Sequence, residues 1–509
     1  MTSISNYTLP PSTALILNYL RSQDIKCFFV GGVIRDSIIS SKPHEQGDID
    51  IAIEGDALIE GKKMAQALGG VYVELDTKHG ICRVVLKTDS KQTYFDLTSS
   101  NYGIATDLED RDFTLNAMAL NIEHIQACNQ SHSFNLANVL DPFGGLGDIK
   151  NRIIKSVSET SIINDPIRTL RAIRISQRFR FQISEETSEQ IKNSSSLITN
   201  VSNERIKDEL LRIFSMSGTA ESLRAMDDFG ILDRIFPEIS ESKCMLQPAE
   251  HYWPVFDHLI ETVSKLEKIL QNDGISKPEP EDFALELIPH FANQEKHFGE
   301  VVGDGQTRLT LCKLACLLHD IAKPATKTID NNGRIRFLGH DKKGSEMTEI
   351  ILKRLKFSRA ATSKVATQVR QHLRPSQMAP DGELPSKKAM YRYYRDLGEE
   401  SIDNLFLNMA DYMAARGPLL QKDEWKTHCE IINHIILGGV AEKKPQKQER
   451  LVTGRDIMDG LRLSPGPHIG LLIEEVTESY VEGIVTTKEE AMELVRKIVE
   501  SGDYFEKEC

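Results

Sequence analysis

Across 509 residues the chain has no excess of basic charge: 62 Lys and Arg stand against 75 Asp and Glu, a formal net charge of −13. That excludes a uniformly basic nucleic-acid binder and turns attention to where the charges sit. No apolar run approaches the roughly 20 residues a membrane helix needs, so no membrane span is expected. The N-terminal MTSISNYTLPPST lacks the basic-then-apolar layout of a signal peptide. The eight cysteines are scattered without a CxxC pair. Cys312 and Cys316 sit at helical spacing, as buried reduced thiols of a cytoplasmic protein would. There is no internal repeat. What is present in quantity is length, too much for one core, so about three or four domains are expected. Hydrophobic residues, at 40%, suffice to fill them.

The first informative stretch is FFVGGVIRD, residues 28–36. IKCFFV (25–30) is short, apolar and β-branched or aromatic, which predicts a buried strand. Gly31 and Gly32 then allow a tight turn, and VIRDSII begins a helix. Such a corner offers amides and a helix N-terminus to an anion such as phosphate. In DIDIAIEG (48–55) strand alternation puts Asp48 and Asp50 on one face, roughly 7 Å apart. Two carboxylates so placed can share a pair of divalent cations about 3.5–4 Å apart. YFDLT (94–98) is a later strand able to bring Asp96 to the same cations. EDRDFTLNAMAL (109–120) begins charged and predicts an apolar helix. NDPIRTLRAIR (164–174) opens a helix with Asp165 and Arg168 one turn apart. From Arg152 to Arg212 there are 11 Lys or Arg against 8 Asp or Glu, a local excess of basic charge in an acidic chain. Within it Arg168, Arg171, Arg174 and Arg178 share one helix face, a stripe suited to triphosphate or RNA backbone. A solvated helix face is the plainer reading.

In order and spacing these segments, from about residue 15 to 240, resemble the class II tRNA nucleotidyltransferases and the related bacterial poly(A) polymerases. The resemblance implies an α+β fold: a polymerase-β-like head with a mixed sheet and helices over 1–150, followed by a helical neck over 151–245. It implies nucleotidyl transfer in which Mg²⁺ on Asp48 and Asp50, with Asp96, serves the reacting oxygens. Gly31 and Gly32 would hold the β and γ phosphates, with Arg35 nearby. Arg111 and Asp112 match the second half of the family's Arg-Arg-Asp motif, which touches the nucleotide. Asp110 stands where the first arginine belongs, a reversal of charge. Base choice falls to Asp165 and Arg168, imitating a Watson–Crick partner for C and A. Asn164 replaces the usual Glu before that Asp. Asp165 as an N-terminal cap, with Pro166 in the first turn, is the structural alternative.

The second half carries a different constellation: His258, His319-Asp320 in CLLHDIAKP, His340, His372, and Asp411 in MADYMA. Imidazole with carboxylate suits Mg, Mn, Ni or Zn, although one histidine on an apolar helix is more often a core residue. Together the six resemble a complete HD phosphohydrolase domain, placed at 246–440. Residues 271–282 and 295–308 are polar and rich in Gly or Pro, expected as surface loops. EKKPQKQER (442–450) is a charged linker, and 441–509 is expected to hold a small helical tail. KKAMYRYYRDLG (387–398) mixes basic and aromatic side chains that could stack bases; an ordinary amphipathic helix explains it as well.

These observations lead to a cytoplasmic, Mg-dependent enzyme that adds C, C and A to tRNA 3′ ends from CTP and ATP, with a fused HD domain. Its partners are the tRNA 3′ end and the two nucleotides, without a membrane, and its oligomeric state is not legible. The first rival is a CC-adding, A-adding or poly(A)-making specialist. A rival of another class is a metal phosphohydrolase whose head only binds RNA, and a third is a non-catalytic RNA-binding protein. The intact Asp48 and Asp50 pair argues against the last two.

Overall fold

The computed structural model describes residues 6–501 apart from 24, 41–47, 89–90, 129–130, 249, 271–281, 381 and 443–450. The 271–282 loop and the charged linker thus fall mostly outside the described residues, as do the first five residues of the N-terminal stretch. The chain divides into two compact units, residues 1–216 with 221–235, and 217–220 with 236–509.

The first unit is built on a seven-stranded mixed sheet. Its strands are β1 (Cys27–Val30), β2 (Ile49–Ile53), β3 (Val71–Asp76), β4 (Ile81–Thr88), β5 (Lys91–Ser99), β6 (Ala119–Asn121) and β7 (Val139–Leu140), in the order β7-β6-β1-β2-β5-β4-β3. Within this sheet β2 and β5 pair in parallel, and the other neighbours run antiparallel. The predicted corner is present: β1, buried throughout, runs into α1 (Gly32–Ile39). Gly31 sits at φ +68°, where a side chain is strained, and a Cβ there would meet Arg111 Nη1 at 3.1 Å. Helix α2 (Ala57–Leu68) covers one face of the sheet: the Cys82 thiol donates to the Ala57 carbonyl, and a Cβ on Gly61 would strike Cys82 Sγ at 2.4 Å. Phe28, Val30, Ala52 and Ala119 form a core on the other face with Ile104 and Leu108 of α3 (Ile104–Glu109).

One expectation is overturned. Residues 109–120 do not form an apolar helix: a turn and the 3-10 segment Thr114–Asn116 lead into strand β6, which pairs with β1 as Val30 opposite Ala119. So short an apolar run fits either period, and an open place beside the buried β1 decides for strand. The loop after β7 is drawn close by glycine, since a Cβ on Gly145 would lie 2.3 Å from the Thr114 carbonyl oxygen. The neck supplies α4 (Arg168–Phe179) and α5 (Asn203–Phe214), the latter capped by Ser202.

The second unit is helical: α6 (Val255–Leu270), α7 (Arg308–Leu318), α8 (His340–Arg354), α9 (Arg359–Gln371), α10 (Lys387–Leu397) and α11 (Ser401–Arg416), then a tail holding α12 (Pro467–Glu482). Cys312 and Cys316 are buried in α7, as predicted. Residues 295–308 are no plain loop. They contain the helix Gln294–Phe298 and a hairpin of Val301–Gly303 with Gln306–Thr307, because Asp304 and Gly305 take the left-handed conformations such a turn needs.

The basic-aromatic stretch forms the amphipathic helix α10. Arg392 and Lys388 are spent on Glu478 of α12, at 2.5 and 3.0 Å, and the Tyr393 hydroxyl donates to the Ser401 carbonyl. Glu478 is 1% exposed and Arg392 is 42% exposed, so the pair is only half desolvated. Glu478→Ala is therefore expected to cost about 1–2 kcal/mol, below the value of a fully buried pair. Urea unfolding and protease sensitivity of the tail will report it.

Candidate active site and metal centre

In the head, strand register assembles the chemistry. Val30 lies opposite Asp50, Asp50 opposite Asp96, Asp96 opposite Arg83, and Arg83 opposite Val73, one row across five strands. Asp48, one residue before β2, shares that face. Arg83 donates from Nε to Asp96 Oδ1 at 2.7 Å and from Nη2 to Asp96 Oδ2 at 2.8 Å and Asp48 Oδ2 at 2.7 Å. Arg111 Nη1 stands 3.6 Å from Asp50 Oδ2. Burial pushes the Asp50 carboxyl above its ordinary range, with Arg111 opposing. Three carboxylates held together by two guanidinium groups form an all-oxygen donor set, and that set fits a hard cation such as Mg²⁺. Sequence reasoning missed Arg83; its signal was its alternation with Cys82 and Val84 in a strand two places from DID.

Beside Asp50 opens a cavity of about 270 Å³ lined by Gly31, Gly32, Arg35, Asp50, Asp110, Arg111, Asp112, Asn116, Arg168, Arg171, Arg174 and Ile175. Nine of the predicted residues meet there; Asp48, Asp96 and Asp165 do not line it. Gly31 donates its own N–H to the Met118 carbonyl at 3.1 Å. The amides offered to an anion are thus those at the start of α1. Arg35 is buried and donates to Asp36 and Asn116. Asp112 is buried as an internal anchor, ion-paired with Arg171 at 3.2 Å and accepting from the Asn116 amide at 2.9 Å. Burial opposes its ionisation, but Arg171 and Asn116 prevail and hold it below the usual carboxylate range.

Arg168 and Asp165 are placed differently from the simple pair expected. Arg168 Nη1 donates to the Arg111 carbonyl at 3.2 Å and Ser161 Oγ at 2.7 Å, and Nη2 donates to the Asp110 carbonyl. It thereby clamps the 110–112 turn onto the neck. Asp165 accepts a two-pronged bond from Arg205 of α5, at 3.0 and 2.8 Å. It does not cap α4, which begins after Ile167 with no side-chain cap bond. Arg174 pairs with Glu209 at 2.6 Å and Arg178 with Asp36 at 2.9 Å. Arg205 and Glu209, four apart on α5, were not singled out from the sequence. Their signal was a common helix face in NERIKDELL.

In the second unit all six predicted ligands converge. His258 comes from α6, His319 and Asp320 from the end of α7, His340 from the start of α8, His372 from the end of α9, and Asp411 from α11. His319, His340 and His372 place Nδ1 at 2.8, 2.6 and 2.7 Å from the carbonyls of Cys316, Phe337 and Val369. Each ring therefore keeps a proton on Nδ1 and turns Nε2 inward. His258 Nε2 lies 3.0 Å from Asp411 Oδ1 and 3.1 Å from His319 Nε2. Asp320 stands between two groups, with Oδ2 at 3.2 Å from His319 and Oδ1 at 3.2 Å from His340. The donors of His258, His319 and Asp411 lie within 4.8 Å of one another, as do those of His319, Asp320 and His372. Converging nitrogen lone pairs beside carboxylates fit divalent cations of the Mn, Ni or Zn kind. Burial pushes His372 down to about 4, which leaves it neutral, as metal binding would require. The buried Lys323, at 2.5 Å from Asp320 Oδ2, is a further counter-charge the sequence did not single out.

Three families match in order along the chain: the poly A polymerase head domain over residues 27–155, the probable RNA and SrmB-binding site of polymerase A over 180–243, and the HD domain over 255–416. The A-adding tRNA nucleotidyltransferase of Deinococcus radiodurans is 27% identical over 478 residues, 92% of this chain and 95% of its own. The CC-adding enzyme of Thermus thermophilus is 27% identical over 474 residues, 91% and 92% of the two chains. The solved structure of a CCA-adding enzyme with CTP superposes at a TM-score of 0.59 with 20% identity, over 96% of this chain and 94% of that one, which shows the shared fold. No described helix is long and apolar enough to cross a membrane. With head, RNA-binding segment and HD domain matched in this order, and relatives over nine-tenths of its length, the chain resembles the tRNA nucleotidyltransferases from end to end and is a nucleotidyltransferase.

Proposed function

We propose that this protein extends tRNA 3′ ends in the cytoplasm, using CTP and ATP without a nucleic-acid template. The observation that carries the reading is the register of Asp50 with Asp96, beside a cavity rich in arginine. Mg²⁺ on Asp48, Asp50 and Asp96 would activate the attacking hydroxyl and stabilise the leaving oxygens. The 3′-hydroxyl oxygen bonds to the α-phosphorus, the bond to the bridging oxygen breaks, and pyrophosphate departs. Arg35, Arg171 and the start of α1 hold the phosphate charge. Asp165 and Arg168 read the Watson–Crick edge of C or A, with Arg205 orienting the Asp165 carboxylate.

Addition of all three nucleotides is the primary reading. Relatives that match over nine-tenths of the chain are named A-adding and CC-adding enzymes, and this favours a specialist as the second. Each NTP alone is to be offered to tRNA transcripts ending before position 74, after C75 or at A76. Three-step addition needs C on the first and A on the second; a specialist extends one of them only.

The HD centre is proposed to hold divalent metal through His258, His319, Asp320, His340, His372 and Asp411, which would activate water for phosphoester hydrolysis. His319→Ala with Asp320→Ala should abolish metal-dependent phosphatase or cyclic phosphodiesterase activity and the bound metal measured by elemental analysis. CTP and ATP addition should stay within about twofold, since the two sets of residues belong to separate compact units with no shared side chain. Loss of both activities in a folded double variant would show the HD centre to be no independent site.

A further inference from the structure

The head sheet carries an exposed apolar strip beside its carboxylates. On β3, at the sheet edge, Val71 and Val73 share one face, and with Leu75 at the bulge beyond them they are 55%, 40% and 49% exposed. Such a strip on an edge strand invites non-specific association unless something occupies it. Val73 belongs to the row that continues through Arg83 and Asp96 to Asp50. A second row, Val71 to Val85 to Tyr94, runs alongside it. The Arg83 guanidinium stands 5.1 Å from the Tyr94 ring centre. Apolar surface, aromatic ring and cation thus continue unbroken from the catalytic face.

We propose that this face is the platform for the last nucleotides of the RNA primer, an inference that rests on the transferase reading. Direction of approach decides it. The phosphate-binding corner, Gly31 and Gly32 with Arg35, lies on the β1 side of Asp50. In-line displacement brings the attacking hydroxyl from the side opposite the leaving pyrophosphate. The primer therefore arrives from the Asp96 side, and the nucleotides behind its 3′ end extend over β4 and β3. Strands about 4.8 Å apart put β3 roughly 14 Å from β2, within reach of those nucleotides. Bases stack on Tyr94 and rest on the valines, while Arg83 offers charge to a phosphate. Edge-to-edge pairing with a second copy is the rival occupant. It would bring the acidic Glu74 and Asp76 of two strands together, and like charges across strands disfavour it.

The test uses the full-length protein and a fluorescent tRNA transcript lacking its three terminal nucleotides. Val71→Glu with Val73→Glu should raise the KM for the transcript by roughly tenfold or more, through repulsion of backbone phosphate. The KM for CTP and the melting temperature should not move. Tyr94→Ala should weaken the transcript by roughly tenfold, the scale of one lost stack. An unchanged transcript KM in the double glutamate variant overturns the proposal. So does a wild-type dimer that the same variant splits without altering that KM, which assigns the face to a second copy. Anisotropy separates the two readings: weaker transcript binding in the double variant supports the platform even if wild type added no nucleotide, a result that would sink the transferase reading alone.

Discussion

Replacing Asp48 or Asp50 by alanine is expected to lower nucleotide addition by about three orders of magnitude or more, the several kcal/mol that metal-assisted charge stabilisation supplies. Binding of tRNA should stay within a fewfold, because in the proposed reading these carboxylates would hold cations and not RNA. The structure sharpens the expectation. Asp48 is tied to Arg83 and Asp50 faces Arg111, and each guanidinium keeps a second carboxylate, Asp96 or Asp107, so either deletion leaves the fold intact. Steady-state incorporation from CTP and ATP, with a parallel filter-binding measurement on tRNA, checks both halves. Near-wild-type addition by either variant would remove the two-metal assignment.

The second large effect concerns base choice. In the proposed reading, Asp165 would offer acceptors to the exocyclic amine of C or A, and Arg168 would offer donors to the ring edge. UTP presents O4 to the carboxylate and N3–H to the guanidinium, a mismatch at both positions. Arg168→Ala should reduce CTP and ATP incorporation by roughly 10²-fold, the scale of a lost charged hydrogen bond, and narrow the discrimination against UTP and GTP. Arg168 also clamps the carbonyls of Asp110 and Arg111, so the comparison needs Arg168→Lys, which keeps the charge and loses the fork. Arg205→Ala isolates the other half: it releases the Asp165 carboxylate without touching the 110–112 turn. That change should cost roughly tenfold in CTP and ATP addition, since a pre-oriented acceptor becomes a mobile one. Incorporation of all four NTPs on trimmed tRNA, with melting temperatures alongside, decides the matter. A preference for C and A that survives both arginine changes would mean that the base is read elsewhere.

Several features are legible along the chain itself. Alternation alone puts Asp48 and Asp50 on one face, and the glycine pair after FFV announces the corner that Gly31 makes at φ +68°. Helix α5 is readable to its ends because Ser202 caps a strongly amphipathic run. The six HD residues are visible as residue types, since histidines and aspartates recur among otherwise apolar helices. The chain cannot itself say that 109–120 enters the sheet as β6, because a short apolar run fits either period and an open place beside β1 decides it. Nor can it show Arg83 clasping Asp96, Arg205 holding Asp165, or Asp320 standing between two sets of histidines. The division has one physical cause. Local geometry, fixed by strand and helix periods, determines which neighbouring side chains share a face, and that can be read along the sequence. Which faces meet is settled by register between distant segments, chosen by the packing of the whole domain, and only the folded chain decides it.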